Sequence, residues 1–102
     1  MLDYVIHQPA RLRIMSVLVD LGPGEEVDFT HLKKLLNLTD GNLGAHLAKL
    51  EQAGYIKVRK IFIDRKPRTF LKATGGGCDA YEAHVRALRQ IIESGNQGEG
   101  QT

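Results

Sequence analysis

From Pro9 onward apolar residues recur at helical spacing: Ile14, Met15, Leu18 and Leu21, with Arg11, Arg13 and Asp20 between them. That period predicts a helix. Pro9 suits its first position, where no intrahelical N–H bond is needed. Gly22-Pro23-Gly24 predicts its end. Leu2, Val5 and Ile6 precede it and predict a short extra turn. After a polar connection from Glu25 to Asp28, in which Val27 predicts a very short strand, Phe29, Leu32, Leu35 and Leu36 mark a short amphipathic helix ending near Asn37. Thr39 or Asp40 can cap a third helix by accepting its orphan N–H bonds. On that helix Leu43, Leu47 and Leu50 lie one above another, and Gly54 ends it.

After Gly54 the period changes. Tyr55 to Ile63 is rich in β-branched and aromatic residues, Arg68 to Ala73 can pair with it, and Asp64-Arg65-Lys66-Pro67 predicts the turn between them. Ile56 and Val58 point one way, whereas Ile61 and Ile63 fall on the opposite phase. A bulge or strong twist near Lys60 would reconcile the two. Beyond Gly75-Gly76-Gly77, a stripe of Tyr81, Val85, Leu88 and Ile92 predicts a last helix over 78–93. Ser94 to Thr102 has no apolar residue and predicts a disordered tail.

The order is helix, short helix, turn, helix, β-hairpin, helix. Two helices joined by a tight turn and followed by a hairpin form the winged helix-turn-helix plan, an α+β fold that is mostly α. In it the second helix of the pair enters the major groove and the hairpin flanks it. A chain of 102 residues, 42% of them hydrophobic and 25% charged, suits one folded domain over 1–93. The net charge of +2 hides an asymmetry. Between Lys57 and Lys72 stand seven basic residues against one acid, Asp64, while the rest of the chain is acidic. A basic hairpin beside an exposed helix attracts a polyanion, and double-stranded DNA fits that geometry.

The stretches Gln8-Pro9-Ala10-Arg11-Leu12-Arg13-Ile14, Leu38-Thr39-Asp40-Gly41-Asn42-Leu43, His46-Leu47-Ala48-Lys49-Leu50-Glu51-Gln52-Ala53-Gly54-Tyr55 and Lys66-Pro67-Arg68-Thr69 carry a further signal. In this order and spacing the chain resembles winged-helix transcriptional regulators of the MarR/ArsR type, nearest to their short single-domain subgroup. The resemblance spans roughly residues 5 to 92. It implies a recognition helix over 39–53, with Thr39, Asn42, Gly44, Ala45, His46 and Lys49 on or near DNA. It also implies a wing over 60–68 whose Lys60, Arg65, Lys66 and Arg68 reach the flanking backbone or minor groove. Asn42 could pair with an adenine edge, Lys49 with a phosphate or guanine, and His46 could donate to phosphate. The last helix resembles the family's dimerisation helix, with Tyr81, Val85, Leu88 and Ile92 meeting a second copy and Leu2, Val5 and Ile6 assisting. Gly44 stands where a serine is usual, and Ala45 also lacks a polar group. Ala73-Thr74-Gly75-Gly76-Gly77 replaces the usual Leu-Thr-Pro-Glu-Gly helix start, which predicts a loose junction.

Other chemistries find no footing. Cys78 is the only cysteine, which excludes an internal disulfide and a multi-thiolate metal site. It has no recognisable histidine partner, so no catalytic residue is assigned. His7, His31, His46 and His84 lack paired metal spacing, and the glycine run lacks the Lys-Ser or Lys-Thr of a phosphate loop. No cofactor is expected. No apolar run approaches the ~20 residues of a membrane helix, and a cytoplasmic setting without membrane contact is the expectation. A small-molecule effector between the last helix and the core is compatible with the sequence, but no residue pattern requires it. The leading reading is thus a homodimeric DNA-binding transcriptional regulator, not an enzyme. The alternative, motivated by Gly44 and Ala45, is a winged-helix protein-interaction module that does not bind DNA.

Overall fold

The computed structural model describes the backbone of residues 1–101 and the side chains through Gly95; Thr102 lies outside the described residues. The elements are α1 (Pro9–Asp20), β1 (Val27–Asp28), α2 (Phe29–Leu36), α3 (Asp40–Gln52), β2 (Ile56–Ile63), β3 (Lys66–Ala73) and α4 (Gly75–Gln101). The three strands form one antiparallel sheet in the order β1-β3-β2. This is a winged helix with an appended C-terminal helix.

Local chemistry sets the helix ends. Gln8 accepts the amide of Arg11 at 2.8 Å, and Asp28 accepts those of Thr30 and His31. Asn37 adopts the left-handed conformation (φ 54) and stops α2. Ile14 and Leu18 of α1, Leu32 of α2, Leu43 and Leu50 of α3 and Leu71 of β3 are all buried in one core. Burying a leucine contributes ~2 kcal/mol, so the leucine stripe of α3 settles which face of that helix stays outside.

The hairpin is straighter than its sequence suggests. Pairing runs without interruption from Ile56↔Ala73 to Ile63↔Lys66, so there is no bulge near Lys60. The phase conflict is tolerated because the outer half of the hairpin extends past the core, where neither face needs to be apolar. Ile63 is 42% exposed and Phe62 76% exposed. The turn is also shorter than expected. Asp64 (φ 51) and Arg65 (φ 67) alone form it, and Lys66 and Pro67 already belong to β3. Two residues at positive φ are the signature of a type I′ turn, which favours Asn-Gly. The Asp64→Asn/Arg65→Gly variant should therefore unfold at higher urea, with a gain of about 1 kcal/mol.

The start of α4 is regular, contrary to the expectation of a loose junction. Gly75, Gly76 and Gly77 form its first turn, and the Thr74 hydroxyl accepts the Gly77 amide at 2.9 Å. Gly77 lies against the backbone of Tyr55, an approach that only a residue without Cβ permits. At the other end the helix continues to Gln101, so the backbone of 94–101 is helical where a disordered tail was expected. No proline interrupts this stretch, and Gly95 does not adopt positive φ.

A polar hub ties α4 to the N-terminal arm. Asp3 accepts the amides of Val5 and Ile6 and the hydroxyl of Tyr55, while its own amide donates to Nδ1 of buried His84 at 3.0 Å. The resulting turn buries Ile6 completely, so Ile6 is used inside its own core and is not available to a dimer interface. His7 lies 5.3 Å from the His84 ring, and Nε2 of His84 has no partner among the described residues. Burial, reinforced by His7 and the N-terminal ammonium and opposed by Asp3, holds His84 below the usual histidine range. The unfolded chain therefore binds the proton more readily. Stability is fully present above pH ~6.5 and is lost as pH falls below it. The urea midpoint should drop between pH 7.5 and 5.5, and His84→Gln should flatten that dependence.

Candidate nucleic-acid interface

The turn between α2 and α3 is held by Lys33, whose ammonium lies 2.8 Å from Asp40. Thr39 caps α3 by accepting the Asn42 amide at 3.1 Å. With Leu43, Leu47 and Leu50 turned inward, Asn42, Gly44, Ala45 and Lys49 are exposed on the outer surface of α3. Thr39 is exposed beside them, and its hydroxyl keeps a hydrogen to donate.

His46 is only half-exposed and is held from behind. The Arg11 guanidinium approaches its Nδ1 at 3.3 Å while also donating to the Val5 carbonyl. Arginine can only donate, so Nδ1 accepts and the ring proton sits on Nε2. Burial first and the Arg11 charge second hold His46 below the ordinary histidine value. His46 thus offers one neutral N–H donor. No sequence pattern singles out Arg11, which orients this ring from α1, because 35 residues separate the pair.

The wing is less uniform than its composition. Strand alternation places Val58, Lys60 and Phe62 on one face with their partners Leu71, Thr69 and Pro67. That face looks toward α3: a cleft of about 310 Å³ lies between Gly44 and Ala48 on one side and Val58, Lys60 and Thr69 on the other. Lys57, Arg59, Lys66, Arg68 and Lys72 take the opposite face. There Arg59 grips Glu26 with two bonds of 2.9 and 3.0 Å, and Arg68 pairs with Asp28 at 2.7 Å. Both guanidiniums lie over the Phe70 ring, at 4.8 and 5.5 Å. Arg68 therefore braces the wing against β1 and α2 and does not stand at its tip. Among the described residues Lys60, Arg65 and Lys66 form no ion pair, and all three are exposed. The structure brings Lys60 beside α3, puts Arg65 at the turn and divides the rest of the basic cluster. Phe62, which no sequence motif marks, stands on the α3 side of the wing.

The residues expected at a dimer contact divide similarly. Tyr81, Val85 and Leu88 are half-buried and line a groove with Leu12 and Val17 of α1. Ile91 and Ile92 are 55% and 62% exposed. Leu2 lies near Ile91, Val5 packs against the core, and Ile6 is inside it. No described helix is long and apolar enough to cross a membrane.

Residues 10–92 match a family described as a winged helix DNA-binding domain. An uncharacterized protein of Methanocaldococcus jannaschii is 34% identical over 90 residues, covering 88% of this chain and 95% of that one. The solved structure of a transcriptional regulator homologue from Pyrococcus horikoshii is 33% identical and has a TM-score of 0.80, covering 90% of this chain and 88% of its own. A MarR-family regulator structure from Enterococcus faecalis shares the fold at 21% identity, with a TM-score of 0.71 over 97% of this chain and 86% of its own.

Proposed function

This chain belongs to the winged helix DNA-binding domain family and has the fold of transcriptional regulators, and we propose that it acts as a homodimer on double-stranded DNA. In this reading α3 enters the major groove and presents Asn42, His46 and Lys49. The wing tip lies on the flanking backbone or minor groove. The observation that carries the reading is the position of Lys60, Arg65 and Lys66. These are three exposed cations, without ion pairs among the described residues, on a hairpin beside the open face of α3. Residues 1–93 form the working unit, and α4 supplies the contact between copies. Its exposed Ile91 and Ile92, continuous with the groove at Tyr81, Val85 and Leu88, support that role. A two-fold pair would set the two recognition helices about one DNA turn, ~34 Å, apart.

Fluorescence anisotropy with a labelled duplex at about 50 and 200 mM salt tests the reading. Binding at low salt that weakens steeply at high salt is expected, with sedimentation showing twice the chain mass. Absence of binding to any duplex at low salt overturns it. The second reading, a module that docks a protein, is favoured by the exposed Gly44 and Ala45, which give α3 few polar groups. A partner that protects α3 while duplex binding is absent would establish it.

A further inference from the structure

Phe62 is the most exposed aromatic on the hairpin, with 76% of its surface in water. The core does not use it: its cross-strand partner is Pro67, also exposed, at the next-to-last rung before the turn. An aromatic left in water on a strand that could hold any residue has a hydration cost that folding does not recover. Its surroundings define what would cover it. Lys60 lies two residues away on the same face, Arg65 stands at the turn and Lys66 on the opposite face beside it, all three without ion pairs among the described residues. An apolar plate at a hairpin tip that carries cations on its own face, at the turn and on the face behind fits a polyanion that has flat apolar surfaces inside it. Duplex DNA is such a partner, because its stacked bases lie behind the phosphates. A hydrophobic protein patch would leave the cations unmatched.

We propose that Phe62 is a wedge that enters the minor groove and partly unstacks a base step while Lys60, Arg65 and Lys66 hold the adjacent phosphates. The proposal rests on the DNA-binding reading above and adds to it a residue that acts on base stacking. Apolar side chains inserted in this way bend the duplex toward the major groove by tens of degrees. On this face of the wing, Phe62 and the cleft beside Gly44 and Ala48 share one side, so a bend toward the major groove would bring the duplex against α3. A recognition helix with few polar groups would gain its grip in part from that deformation. The step read by Phe62 would then be a flexible pyrimidine–purine step, which unstacks at least cost.

The test compares wild type, Phe62→Ala and Phe62→Leu on a duplex of about 30 base pairs, short enough to bend as one unit, labelled at both ends for energy transfer. Anisotropy is measured in parallel. Wild type should shorten the end-to-end distance. Phe62→Ala should bind about ten-fold more weakly, with an unchanged salt slope because no charge is lost, and should leave the duplex straight. Phe62→Leu should keep part of the bend. Thermal unfolding should be nearly the same for all three, since the ring is exposed. If wild type binds and Phe62→Ala matches it in affinity and bend, the wedge is refuted while the DNA-binding reading stands. Weaker binding by Phe62→Ala with the bend intact also refutes it, since Phe62 would then be only a surface contact. If wild type binds no duplex at all, the underlying reading fails first.

Discussion

Gly77→Ala should destabilise this protein more than the same substitution at any other described glycine. A Cβ on Gly77 would overlap the Tyr55 carbonyl oxygen and lie 2.8 Å from its carbon. Both are backbone atoms, so no side chain can rotate away. The Tyr55 carbonyl is itself fixed, because it accepts the Thr74 amide at 3.0 Å. The Thr74 hydroxyl is anchored to the Gly54 carbonyl at 2.7 Å, and Tyr55 is tied to Asp3. Relief would require α4 to lift off the junction of α3 and β2, breaking these bonds and uncovering His84. A cost of about 3 kcal/mol or more follows, a large share of the roughly 5–15 kcal/mol typical of a domain. Gly75→Ala, where a Cβ meets only open space, should instead stabilise by up to about 1 kcal/mol through helix propensity. Urea unfolding of the two variants checks the contrast; equal midpoints would refute it.

That pair also shows where sequence reasoning stops. Three glycines in a row read as a weak helix start, because propensity sees each residue alone. The reason one of them is needed is a backbone about two dozen residues away, at Tyr55, which no local pattern reports. The same limit hid the partner of Arg68. Asp28 is 40 residues earlier in the chain, and only the pairing of β1 with β3 brings the two together. Ile6 looks like a surface residue near a dimer helix, but the Asp3 turn folds it into the core. By contrast, the three leucines of α3, its cap to within the pair Thr39 or Asp40, and the stop at Asn37 are legible, since each depends on residues within one or two helical turns. Phe62 escapes for a different reason. Its alternation with Val58 and Lys60 is visible, but an aromatic in a strand reads as core until the length of the hairpin beyond the core is known.

The charge of the wing can be divided by experiment along the line the structure draws. Changing Lys60, Arg65 and Lys66 together to alanine removes three cations that no described acid pairs with. For every phosphate deprived of its cation, the magnitude of the salt slope should fall by about 0.9, so the triple variant should bind with a slope smaller by about 2 to 3. At about 50 mM salt that corresponds to affinity weaker by one hundred-fold or more, with the urea midpoint nearly unchanged because all three side chains are exposed. Arg68→Ala should behave in the opposite way. Its guanidinium is already matched by Asp28, whose carboxylate also caps α2, and it lies over Phe70. Removing it should lower stability modestly while changing the salt slope little. If Arg68→Ala instead flattens the slope as much as Lys60→Ala, then binding must pull Arg68 away from Asp28. The outer face of the sheet as far as Arg68, and not only the tip and the face toward α3, would then meet DNA.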